Sequence, residues 1–366
     1  MIILNNFLYF YQFKLHVLKY LISFFILLSY LIYYFYDIKF FFSPFHFSWN
    51  LFSQKRKKFL CKVCSINPIT SSYRDAVLFF VSGILERSLI ALSSLRSVNS
   101  RCSVIVIHPT EEVLSQAFIQ FCKALNIILV SYSFPKELSD LPFLSRFLSY
   151  SNWVKSHISD FDKVFHVDSF DTYFQGDIFT DDITSNTLHA TLEGRIIEDE
   201  VYNTNWLNQC YGEGTSVQLG KNKIICSGTF GGPTQIFSDI VHQIINSTNF
   251  WKKECLRPSV DQAHYIYLIW NNYIRNASIP IVFHGCDSGL VTATYCNNFI
   301  HDNSTGFTYN FKESPPRMIH QYDRFSDLNK WVNTTQCGTI LPIKDDVHFM
   351  RRNPGIYRKL SVVLKE

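Results

Sequence analysis

The chain has 366 residues, of which 47% are hydrophobic and 16% aromatic, and a net charge of +4. That length supports one large folded unit with appendages, and the apolar share is enough for a sizeable core. The modest, dispersed charge leaves no basic face, so nucleic acid is excluded as a partner.

Residues 1–43 read as a short cytoplasmic tail and a transmembrane anchor. Tyr20 to Tyr36 is a run of 17 residues without a charge. With its flanks it is long enough to span a bilayer when tilted, and its terminal aromatic residues suit the interface. No small-residue cleavage site follows, so the anchor is expected to be retained. Lys14 and Lys19 precede the span; Lys39 and the run Lys55-Arg56-Lys57-Lys58 follow it. Taken literally, the positive-inside rule then leaves the large domain in the cytoplasm. The ten cysteines, an even number from Cys61 to Cys337, and the sequons at Asn246, Asn276, Asn303 and Asn333 point the other way, to a lumenal domain. Cys61-Lys62-Val63-Cys64 has no second C-x-x-C to match it, which argues against structural zinc. Residues 44–70, with Pro, Ser, Asn and the basic run, read as a stem.

From Ala76 the pattern alternates between strand and helix. Ala76–Val81 is a buried strand ending at Ser82-Gly83, and Leu85, Leu89, Leu92 and Leu95 follow at helical spacing. Ser103–Ile107 is a second strand. Thr110 is expected to cap a helix that begins with Glu111 and Glu112 and runs to about Leu125. Ile127–Val130 is a third strand, and a helix from about Leu144 to His157 comes next. This alternation predicts parallel pairing with right-handed crossovers. Lys163–Val167 is a strand that ends on Asp168, with Asp171 three residues on and Asp177, Asp181 and Asp182 soon after. Asp after a strand is common in turns. Two carboxylates at a strand's carboxyl end also make a hard oxygen site for Mg²⁺ or Mn²⁺, in the place where open α/β sheets bind ligands. His166 lies two residues before Asp168 and reads as a core residue or a support for it. Leu188–Leu192 and Lys223–Cys226 are further strands; Gln235–Ile245 and Ser259–Trp270 are helices. From Thr292 the chain turns polar and loop-like.

The order of these motifs resembles the GT-A nucleotide-sugar glycosyltransferases, over roughly residues 75 to 325. Val167-Asp168-Ser169-Phe170-Asp171, continuing to Phe174-Gln175-Gly176-Asp177, is similar to that family's D-x-D region in a D-x-x-D-x-x-F-Q-x-D form. Cys226-Ser227-Gly228-Thr229-Phe230-Gly231-Gly232 is similar to its strand and glycine turn, Asp261-Gln262 to its D-Q pair, and His320 to a late histidine that completes a metal shell. The resemblance implies a GT-A fold, a Rossmann-like mixed sheet flanked by helices, over residues 71–345, with a tail at 346–366. It implies Mn²⁺ or Mg²⁺ held by Asp168, Asp171 and His320, with one of the aspartates acting either directly or through a water. Arg146, Arg324, Gly228 and Gly231 are then candidates for holding a nucleotide-sugar donor, and Asp261, Gln262 and Glu193 for the sugar and acceptor side. The implied activity is transfer of a hexose to a glycan or glycoprotein acceptor by a single-pass membrane protein of the Golgi or endoplasmic reticulum. The motif departs from the commonest form, which leaves open which aspartates touch the ion. A rival reading is a non-catalytic binder with a degenerate transferase fold; it would keep the glycines and lose a carboxylate, whereas here the carboxylates are present.

Overall fold

A computed structural model describes residues 59–338, apart from 64, 84, 181, 184–185, 275–278, 297–298 and 311–314. The expected anchor, the first part of the expected stem, Asn276 and the C-terminal tail lie outside the described residues. Among those described, no helix is long and apolar enough to cross a membrane.

Strands β1 (Asp75–Phe80), β2 (Ser103–Pro109) and β3 (Ile127–Tyr132) pair in parallel, with β2 between the other two. β4 (Lys163–Val167) adds in parallel to the other side of β1. β5 (Thr172–Phe174) leaves this layer, and β6 (Leu188–Ile196), β7 (Lys223–Pro233) and β8 (Ile281–His284) complete it. The seven-stranded order is β3-β2-β1-β4-β7-β6-β8, with β7 antiparallel to both of its neighbours. A second sheet, β5-β12-β9, joins β9 (Leu290–Thr292) and β12 (Met318–His320) to β5. β10 (Ile300–Asp302) and β11 (Phe307–Tyr309) form an antiparallel pair.

β1 is buried on both faces, which is why it reads as an unbroken apolar run. Ala76, Leu78 and Phe80 enter one cluster, with residues of α3 (Pro142–Ser156), α4 (Val201–Tyr211), α6 (Thr234–Asn246) and α7 (Asp261–Tyr267). Val77, Phe79 and Val81 enter the opposite cluster, with α1 (Leu89–Ser97) and α2 (Gln116–Ala124). The short α5 (Thr215–Leu219) lies between α4 and β7, and α8 (Ser326–Lys330) closes the small sheet. Helices therefore cover both faces of a mixed sheet, a Rossmann-like arrangement. Chain order reverses between β1 and β4, where such sheets open a crevice.

Several boundaries move. The helix expected from Thr110 begins at Gln116, and Ser115 caps it by accepting a hydrogen bond from Phe118 N at 3.1 Å. Glu112 instead accepts from the amide of Gly83, which holds 110–112 in a turn. β7 runs on through Gly228, Gly231 and Gly232, so these are not a turn after a strand: β4 and β6 flank β7 and keep its ladder going. β6 extends to Ile196 and takes Glu193 inside it. The stretch after Thr292 is not loop throughout, since β10, β11 and β12 lie in it. The described residues of the expected stem, 59–63 and 65–70, lie on the folded unit. Cys61 is disulfide-bonded to Cys337, and Lys62 N and Ile66 N donate to Gln336 O and Gln175 O.

Candidate metal centre

Asp168 directly follows β4, at the crevice between β1 and β4. β7 runs antiparallel beside β4, so Asp168 N donates to Gly228 O at 2.8 Å. Gly228 leaves the carboxylate room: a Cβ there would lie 2.5 Å from Asp168 Oδ2 and 2.4 Å from His320 Cε1. Pairing in the small sheet brings the third member. His320 is in register with Thr172, the residue after Asp171, and Tyr322 N donates to Asp171 O at 3.2 Å. His320 Nε2 thereby lies 3.4 Å from Asp168 Oδ2 and 3.3 Å from Asp171 Oδ1.

The ligand atoms of Asp168, Asp171 and His320 all lie within 4.8 Å of one another. Adjacent ligands of an octahedral ion with bonds of 2.0–2.1 Å are about 3 Å apart, so the spacing fits a small divalent cation. His320 is buried, and its Nε2 and Asp171 Oδ1 make no hydrogen bond among the described residues. The other ring nitrogen, Nδ1, faces Cys226 Sγ and Thr292 Oγ1, each at 3.4 Å, which turns Nε2 toward the carboxylates. Thr292 Oγ1 is in turn 2.7 Å from Thr191 Oγ1. Burial disfavours charge on His320, but Cys226, Asp171 and Asp168 hold its pKa well above the ordinary value. The field that favours a proton here favours a cation too.

Arg146, on the buried face of α3, is 3% exposed and forks between two carboxylates, Asp168 and Asp261. Its NH2 group also donates to Ser227 O at 3.3 Å and Ser227 Oγ at 3.2 Å. Burial works against the charge of Asp168, yet Arg146, then His166 and His320, hold its pKa well below the ordinary carboxylate value. His166 is buried, with Nε2 3.5 Å from Asp168 Oδ1, and desolvation lowers its pKa to about 4. It is a neutral support behind Asp168.

Asp261 opens α7 but does not cap it. Its carboxylate accepts from Arg146 and, at 2.7 Å, from Ser227 Oγ. Gln262 reaches the other way: Nε2 donates to Glu193 Oε1 and to Asn203 Oδ1, both at 3.1 Å. Glu193 is buried, and desolvation raises its pKa to about 7.

The fold thus gathers Arg146, Asp168, Asp171, Gly228, Asp261, Gln262, Glu193 and His320 into one connected group. Gly231 and Arg324 make no hydrogen bond into this group among the described residues, although Arg324 is near enough to Glu193 to act on its charge. A Cβ at Gly231 would meet Phe165 Cγ at 2.3 Å, so that glycine serves the packing of β7 on β4. Arg324 is 54% exposed and lies 3.8 Å from Asp323. Ser227, Cys226 and Thr292 act in the group without having been assigned a role in the sequence; Ser227 and Cys226 were visible only as neighbours of Gly228. The second Cys/His grouping, Cys210, Cys255 and His264, offers no thiolates, because Cys210 and Cys255 are disulfide-bonded.

No protein-family model matches this chain, and no curated protein matches it significantly.

Proposed function

We propose that the protein is a metal-dependent glycosyltransferase of the GT-A class that moves a hexose from a nucleoside-diphosphate sugar to a glycan or glycoprotein acceptor. The observation that carries this reading is the Asp168–Asp171–His320 cluster at the crevice of a Rossmann-like sheet. It is a hard donor set with open atoms, at the place where a diphosphate would lie. Mn²⁺ or Mg²⁺ bound there would neutralise charge on the leaving diphosphate. The single strand β7, reversed between β4 and β6, supports the reading because it alone sets Gly228 against the metal ligands.

The chain's own residues divide the remaining work. Arg146 fixes Asp168 in place, and Asp261 and Ser227 fix Arg146. In transfer, a bond forms from the acceptor hydroxyl oxygen to the anomeric carbon. The bond from that carbon to the diphosphate breaks, and its electron pair leaves with the nucleotide. Glu193, with a pKa near 7, is suited to take the acceptor's proton, and Gln262 holds its carboxylate.

Location is part of the proposal. Three disulfides, Cys61–Cys337, Cys210–Cys255 and Cys286–Cys296, support an oxidising lumen, as do exposed sequon asparagines at 246, 303 and 333. The domain is then lumenal, on the anchor at 1–43, in the Golgi or endoplasmic reticulum.

The test is nucleotide release by the full chain from a panel of UDP- and GDP-sugars, with Mn²⁺ or with chelator. Release that needs metal and prefers one sugar is expected. Saturable binding of a nucleotide sugar without release, with acceptor glycans present, would favour the non-catalytic binder.

A further inference from the structure

Two non-glycine residues beside the metal cluster adopt left-handed backbone, Gln321 at φ 59° and Tyr295 at φ 61°. Such positions cost free energy and persist where the surroundings enforce them. Here the surroundings are the site itself. Gln321 directly follows His320 and accepts a hydrogen bond from Thr294 Oγ1. Ala293 N donates to His320 O at 2.8 Å, and Cys296 is tied to Cys286. The loop carrying Tyr295 is therefore bonded to the strand that ends on a metal ligand. It also presses on β6. Gly194 N donates to Thr294 O at 3.2 Å, and a Cβ at Gly194 would sit 2.1 Å from the Tyr295 carbonyl oxygen.

The outcome is an aromatic ring held at the surface, 36% exposed, beside the strand residue pair Glu193 and Arg195. The Arg195 guanidinium lies 4.1 Å from the Tyr295 ring centroid. Tyr202, 60% exposed on the first turn of α4, is close enough, with Glu193 and Glu200, to perturb the Tyr295 phenol.

Building on the transferase reading, we infer that Tyr295 and Arg195 form the acceptor subsite and that its occupant is the pyranose ring of a saccharide. A pyranose presents a face of C–H groups and a rim of hydroxyls. A held phenol ring gives that face a flat apolar partner, and a guanidinium fork gives the rim several donors. β8 pairs with β6 only over Leu188–Thr191; beyond it Gly194 N donates to Thr294 O, so the Tyr295 loop itself lies along the edge where an extended peptide would add. A sugar on Tyr295 brings its hydroxyls to Glu193, on the strand against which the Tyr295 loop is packed.

The experiment is binding of the full chain, with Mn²⁺ and free UDP or GDP, to an array of oligosaccharides and peptides, followed by acceptor kinetics on the saccharides bound. Wild type and Tyr295→Phe should bind the same saccharides. Tyr295→Ala and Arg195→Met should weaken binding at least tenfold, seen in kinetics as a raised acceptor KM with a much smaller change in kcat. Thermal melts of the variants separate this from unfolding. Saccharide binding that ignores Tyr295→Ala and Arg195→Met overturns the subsite, as does binding of peptides alone or of nothing. Saccharide binding that depends on Tyr295, with no metal-dependent nucleotide release, would keep the subsite and refute the transferase. Metal-dependent release with acceptor KM indifferent to Tyr295 would do the reverse.

Discussion

Asp171 and Asp177 lie six residues apart in one acidic stretch and end in opposite circumstances. Asp177 is fully buried and saturated. It accepts from Thr70 N at 3.0 Å, Ser71 N at 2.7 Å, Ser100 Oγ at 3.2 Å and Phe179 N at 3.3 Å. Asp171 keeps Oδ1 free of hydrogen bonds and directed at His320. Gln175 goes with Asp177: its amide donates to Thr308 O and Pro316 O and accepts from Thr308 N. One half of the motif holds the chain together, and the other half keeps a carboxylate oxygen without a hydrogen bond. A carboxylate with four protein donors has little capacity left for an ion, whereas one facing an imidazole and another carboxylate keeps an oxygen that could take one.

The contrast can be broken by mutation. Asp171→Ala should have the largest effect. Metal-dependent nucleotide release should fall by at least about a hundredfold, since losing a ligand exceeds the loss from supporting groups. The melting temperature should barely move, because few protein bonds are lost. Retained release, read as nucleotide per folded enzyme, would dissolve the distinction. Arg146→Met strands the buried Asp261 and the partly exposed Asp168 and should cost about 3 kcal/mol in urea denaturation. Gly228→Ala pushes a methyl group between Asp168 and His320 and should weaken Mn²⁺ binding by calorimetry about 10–100-fold.

Asp177→Asn should behave oppositely to Asp171→Ala, costing about 1–2 kcal/mol of stability while the folded fraction keeps its release rate. The smallest effect concerns Glu193, whose pKa rises from 4.5 to about 7 on folding. Below 4.5 both states hold the proton. Between the two values only the folded state does, so this group's contribution falls as pH rises through that window and is level above about 7. Glu193→Gln removes the cost and keeps an oxygen for Gln262. It should be more stable than wild type at pH 8 by about 1–2 kcal/mol, and equally stable near pH 4. Equal stability at both pH values would show that the carboxylate is not held in an apolar setting.

β1, β2, β3 and β4 were legible within a residue or two, because each contains a short apolar run rich in β-branched and aromatic residues. Asp168 and Asp171 were legible because they follow such a run. The start of α2 was not, since Thr110-Glu111-Glu112 has the local chemistry of a helix opening and loses to the bond between Glu112 and the Gly83 amide. The extension of β7 through its glycines was hidden for a like reason: glycine weakens a strand locally, and only packing of Gly231 against Phe165 and of Gly228 against the site explains it.

The sequence by itself determined the alternation of strand and helix, the acidic end of β4 and the residue types of a hard cation site, because periodicity and side-chain chemistry are local properties. Tertiary structure decided which of those residues meet. Asp171 and His320 are far apart in the chain and come together only through the pairing of β5 with β12. Arg146 was a charge on a helix until Asp168 and Asp261 closed on it, and Arg324, which offered the same chemistry, was left at the surface. Pairing register and burial are properties of the whole fold, and they separate a ligand-ready carboxylate from a saturated one.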